Sequence, residues 1–84
     1  MLLDIEKNNI DALSLKARIL MELNLPKEAI YFYNKVINSK SNDYSSYLCR
    51  GNCYATLKNF DLALDDYDKA IKLYPNLAEI YLNK

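Results

Sequence analysis

The sequence predicts an all-α chain built from short helical hairpins, and three observations support that class. One glycine and two prolines in 84 residues leave too few turn formers for a β protein. Apolar residues recur at intervals of three and four, the spacing that gathers them on one face of a helix. A hydrophobic share of 51% beside 26% charged residues fits a folded globular chain rather than a disordered one.

The first helix is read from Ile10, Leu13, Ala17, Leu20 and Leu23. Pro26 stands where proline is tolerated, in the first turn of a second helix whose stripe is Ala29, Ile30, Tyr33, Val36 and Ile37. Ser39-Lys40-Ser41-Asn42-Asp43 reads as a loop, with Asn42 or Asp43 placed to cap a third helix. That helix carries Tyr47, Gly51, Tyr54 and Leu57 and breaks at Lys58-Asn59, where Asn59 is placed to cap the next. Ala63, Tyr67, Ala70 and Ile71 line the fourth. Pro75 ends it, and Asn76 is placed to cap a fifth, short helix from Leu77 to Lys84.

A shift of 34 residues superposes Leu23 on Leu57, Ala29 on Ala63, Tyr33 on Tyr67, Lys35 on Lys69, Ile37 on Ile71 and Asn42 on Asn76. Two helices per 34-residue period is the signature of a helical-hairpin repeat. In residues 44–77 the marked positions are Tyr47, Arg50-Gly51, Tyr54, Ala63, Tyr67, Ala70 and Pro75. Residues 10–43 repeat them more loosely as Leu13, Lys16-Ala17, Leu20, Ala29, Tyr33, Val36 and Ser41. On these residues the chain resembles the tetratricopeptide repeat family over nearly its whole length. The resemblance implies a right-handed superhelical α-solenoid of antiparallel hairpins. Each marked residue has a steric role. Gly51 and Ala17 let paired helices approach, with Ala63 and Ala29 opposite, while Tyr47, Tyr54 and Tyr67 fill wider spaces. The division expected is the tail of a preceding repeat helix in residues 1–9, repeats at 10–43 and 44–77, and a truncated first helix of a following repeat or cap at 78–84. Solenoid ends normally need a polar cap. Leu2 and Leu3 at one flank and Tyr81 at the other therefore suggest a fragment of a longer array, or ends that stack on a partner.

Catalytic arrangements are hard to assemble from these residues. With no histidine, Cys-His and Ser-His pairs are absent, and no glycine-rich loop is present to cradle phosphate. Cys49 and Cys53 lie one turn apart, but a metal would need further soft ligands, so packed or half-exposed thiols are the expectation. Asp61, Asp65, Asp66 and Asp68 read as a solvated helix face. Asp61 there suits the helix dipole, and Asp65–Lys69 and Asp68–Lys72 form one-turn ion pairs. No catalytic, cofactor or metal site is expected, and the chain is read as a non-enzyme.

Function is then expected in a surface. The resemblance implies protein–protein interaction through a concave groove lined by the first helix of each repeat, which takes a peptide or helix. Mapped onto this sequence, the groove holds Asp11, Ser14, Leu15, Arg18 and Glu22 from the first repeat. Ser45, Leu48, Cys49, Asn52 and Thr56 follow from the second, and Glu79, Leu82 and Asn83 from the C-terminal stub. One cation among three acids, with Leu15, Leu48 and Leu82 as a ladder, suits apolar or basic segments. An alternative is the carboxylate clamp of some tetratricopeptide co-chaperones for acidic chaperone tails. Asn52 and Asn83 stand at its two asparagine positions, yet Leu48 replaces the expected lysine. A further alternative is an assembly element that self-associates through open repeat ends. Zero net charge disfavours a nucleic-acid or charge-driven membrane partner. The acidic start and the shortness of the apolar run Ala29 to Tyr33 show no targeting or spanning segment. Two cysteines without a secretory signal suggest reduced thiols and a cytoplasmic or nuclear setting.

Overall fold

The computed structural model describes residues 9–76. Among the described residues the chain forms four helices and no strand: α1 (Ile10–Glu22), α2 (Pro26–Ser39), α3 (Tyr44–Thr56) and α4 (Phe60–Leu73). Successive helices pack on one another, and α1 also touches α3, so the two hairpins stack as a solenoid. The parts of the 1–9 and 78–84 segments that lie beyond residues 9–76 fall outside the described residues, as do Leu2, Leu3, Tyr81, Glu79, Leu82 and Asn83.

Local chemistry sets the helix ends. Asn9 caps α1, its side-chain oxygen accepting from the Ala12 amide at 3.1 Å. Asp43 and Asn59 hold the N-cap positions of α3 and α4 without a side-chain cap bond. Asp43 instead accepts from the Ser46 hydroxyl at 2.7 Å. Pro26 opens α2, where its missing N–H costs nothing. Both hairpin turns close as Schellman motifs. Asn24 and Leu25 amides donate to the Met21 and Leu20 carbonyls, and one period later Lys58 and Asn59 donate to Ala55 and Tyr54. Each motif needs a residue at positive φ, supplied by Asn24 (φ 65°) and Lys58 (φ 66°).

Two apolar clusters hold the stack. The first joins Ala17, Ala29 and Tyr33 of the first hairpin to Cys53 of α3, with Met21, Ile30 and Cys49 packed around them. The second joins Ile37 of α2, Tyr47 of α3 and Ala70 of α4. Small residues set the helix spacing: Ala17, Ala29 and Ala70 are fully buried. At Gly51 an added Cβ would lie 3.2 Å from the Ala63 carbonyl oxygen. α3 itself carries serine, asparagine, glycine, two cysteines and three tyrosines, which favour helix weakly, so its conformation comes from packing.

The acidic face differs from the sequence expectation at one residue. Asp61, Asp65 and Asp68 are exposed, but Asp66 is buried and accepts from Arg50 Nε and Nη2 at 2.8 Å each. Helical phase explains this, because Asp66 stands three residues after Ala63 and four before Ala70, on the packed face of α4. Among the described residues this is the one ion pair within 4.0 Å, so the Asp65–Lys69 and Asp68–Lys72 pairs are not closed.

Candidate functional site

α1 and α3, the first helices of the two hairpins, come into contact. Between them opens a pocket of about 180 Å³, lined by Arg18, Met21, Glu22, Tyr33, Cys49 and Asn52. Arg18, Glu22, Cys49 and Asn52 belong to the groove expected from the sequence. Met21 and Tyr33 were not among the candidates. Tyr33, expected only on the apolar stripe of its helix, reaches the pocket from α2 and packs with Ala17 of α1 and Cys53 of α3.

The other described candidates do not line this pocket. Asp11, Leu15, Ser45 and Thr56 are exposed, and Ser14 is half-buried. Thr56 turns its hydroxyl back to the Asn52 carbonyl at 3.0 Å, which occupies its donor within the helix. Leu48 is half-buried against the Ile37–Tyr47–Ala70 cluster, so Leu15 is the more open apolar residue of the two.

Hydrogen bonding orients the polar rim. The Tyr67 hydroxyl donates to Asn52 Oδ1 at 2.6 Å, which leaves the Asn52 side-chain N–H groups as donors at the pocket. Met21, Tyr33 and Cys49 supply the apolar and polarisable floor. Burial raises the Tyr33 pKa well above the usual phenol range, reinforced by adjoining Cys49, so the hydroxyl stays protonated. Burial likewise pushes the Cys53 thiol up to about 11, with Cys49 and Asp66 adding to the effect. Cys53 Sγ lies 3.5 Å from Met21 Sδ, and both cysteines are free thiols.

Behind the pocket, Arg50 ties the layers together. Its Nη1 donates to Asn34 Oδ1 at 2.7 Å across the hairpin junction, while Asp66 holds its other nitrogens. The Asp66 hydrogen bonds raise the Arg50 pKa against the opposing cost of burial, so the guanidinium stays charged. One period earlier, the same pair of positions is Lys16 over the Phe32 ring, 4.9 Å from its centroid. Sequence spacing carried no signal for the Arg50–Asp66 pair, because its members are sixteen residues apart on different helices.

Among the described residues, no group of three His, Cys, Asp or Glu side chains is placed to hold a metal ion. No helix among them is long and apolar enough to cross a membrane. Residues 10–43 and residues 44–77 each match a family model described as tetratricopeptide repeat. Among curated proteins none is similar enough in sequence to count as a match.

Proposed function

The chain belongs to the tetratricopeptide repeat family, whose members generally mediate protein–protein interaction, and from that premise we propose that it binds an extended peptide segment of another protein in the pocket between α1 and α3. Repeats of this family typically act as non-catalytic interaction modules. The observation that carries the reading is the Tyr67–Asn52 hydrogen bond, which fixes the amide of Asn52 beside an apolar floor. An apolar side chain of the ligand rests on Met21, Tyr33 and Cys49, and its backbone carbonyl accepts from Asn52. Glu22 at the rim, with Asp11 on the same helix, favours apolar or basic flanking residues.

The carboxylate clamp is a second reading, favoured by Arg18 and Asn52 lining one pocket. A carboxylate there would gain a charge-assisted bond from Arg18. It would also face Glu22, and Leu48 offers no cation.

Peptides selected from a random library on the wild-type chain, then titrated calorimetrically, test the proposal. Apolar or basic sequences are expected, with Asn52→Ala or Met21→Ala weakening them about tenfold, roughly 1.4 kcal/mol. Selected peptides that bind both variants as they bind wild type would refute the pocket. An acidic peptide with a free C-terminal carboxylate is the second arm. Salt-sensitive saturation that needs Arg18 would transfer the assignment to the clamp.

A further inference from the structure

Two thiols one helical turn apart are too few to hold a metal ion, and no further soft ligand lies near them in the sequence. The fold supplies one. Met21 of α1 comes to Cys53 of α3 from 32 residues away, and the Cys53 thiol donates to Met21 Sδ at 3.5 Å. Cys49 stands on the same face of α3 one turn earlier, a spacing that puts the two Cβ atoms about 5–6 Å apart. Cys49 and Met21 line the pocket between α1 and α3 together, and both pack on the cluster that holds Cys53. Both cysteines are free thiols.

The spacing suits a single ion. Three sulfurs arranged in a plane around a metal at about 2.3 Å each, the length of a zinc–thiolate bond, stand about 4 Å from one another. Met21 Sδ and Cys53 Sγ, at 3.5 Å, are already close to that separation. The thioether lone pair faces the thiol proton, so an ion that replaces the proton meets both sulfurs at once. Thiolate and thioether donors are soft and suit Cu(I). Zinc instead takes thiolate, imidazole or carboxylate ligands, four of them in a structural site. No three such side chains are grouped among the described residues.

We propose that Cys49, Cys53 and Met21 form a three-sulfur site for a soft monovalent metal ion, Cu(I), at the foot of the pocket between α1 and α3. Each thiol gives its proton to solvent as its sulfur binds, and the copper stays monovalent throughout. Two thiolates and one monovalent cation leave a single net negative charge, and Arg18 lines the same pocket as the countercharge. The ion enters past half-buried Cys49, since Cys53 is fully buried. The site goes beyond peptide capture and stands or falls without it, although copper and a peptide would compete for Met21 and Cys49.

Cu(I), supplied as its acetonitrile complex to the reduced full chain without oxygen and in competition with bicinchoninate, tests this. One copper per chain is expected to leave the chromophore, with the chain still a monomer by sedimentation. X-ray absorption of the complex should show three sulfurs at about 2.3 Å. Loss of a partner outside the ligand shell already weakens metal binding about 10–100-fold, so loss of a ligand costs no less. Met21→Leu, which keeps the volume, should therefore weaken binding at least about tenfold, and Cys49→Ser at least about a hundredfold. Far-UV circular dichroism of both variants should match the wild-type chain. Copper that stays with bicinchoninate would overturn the proposal, as would a Met21→Leu chain that binds it as tightly as wild type. Copper that bridges two chains, or zinc that binds more tightly than copper, would overturn it too.

Discussion

Replacing Gly51 with alanine is predicted to destabilise the chain by about 1 kcal/mol, although the same change in an open helix stabilises. The added Cβ would lie 2.7 Å from Tyr67 Cε1, 2.9 Å from Tyr67 Cδ1 and 3.2 Å from the Ala63 carbonyl oxygen. Ordinary carbon contacts begin near 3.5 Å, so the ring must retreat by roughly 0.8 Å. That movement pulls the Tyr67 hydroxyl from Asn52, a bond worth about 0.5–1 kcal/mol at an exposed site. The Ala63 carbonyl is helix backbone and yields only if α4 shifts. Overpacking of this kind costs about 1–3 kcal/mol, while removing glycine from a helix interior returns about 0.5–1 kcal/mol. Urea denaturation followed at 222 nm measures the balance, and each kcal/mol lowers Tm by about 4–8 °C in a chain this size. In a Tyr67→Ala background the clash with the ring is gone and only the Ala63 carbonyl contact remains, so Gly51→Ala should there cost less than in the wild-type chain. A Gly51→Ala chain more stable than wild type would refute the close-approach argument.

Further predictions follow from the turns, the ion pair and the thiols. Lys58→Gly should stabilise by about 0.5–1 kcal/mol, because lysine bears a steric cost at φ 66° that glycine avoids; Asn24→Gly should change far less, both read from urea midpoints. Asp66→Ala should cost about 2–3 kcal/mol in the same assay, since it strands the part-buried Arg50 charge. Removing both charges with Arg50→Met and Asp66→Leu should cost less than that single change. Stability should fall in alkali: the Cys53 thiol ionises near 9.0 when unfolded and at about 11 when folded. Its contribution is complete below pH 9 and is lost as pH rises to about 11, on the order of 2 kcal/mol. Tyr33, raised by burial, extends the loss to higher pH, and Cys53→Ala should flatten the curve between pH 9 and 11.

The four helices were legible because breakers and periodicity agree. Pro26 opens α2 at its first residue, and Lys58-Asn59 falls between α3 and α4. The steric pairing of Gly51 with Ala63 could also be read, since both are small residues at marked positions of one repeat. The site was legible only where it lies along one helix. Arg18, Glu22, Cys49 and Asn52 came from the groove that the family resemblance implies on the first helix of each repeat, whereas Tyr33 enters from a different helix and Asp66 is buried by a partner sixteen residues away. Asp66 sits between acids that are solvated, and the charge pattern of α4 hides which of the four turns inward. Tyr67 was legible as a filler of space, but its hydroxyl contact to Asn52 depends on the separation of α3 and α4.

The weak helix formers of α3 have a consequence for motion. A helix whose conformation is lent by its neighbours opens whenever they do, so the amides of α3 exchange through separation of the hairpins rather than through fraying of the helix alone. Arg50 sits on α3 and is held from both sides, by Asn34 and by Asp66, which makes it the latch of that opening. A peptide lying across α1 and α3 would bridge the same two layers. Slowed exchange along the whole of α3, beyond the Cys49 and Asn52 that it touches, is therefore the trace such a ligand would leave.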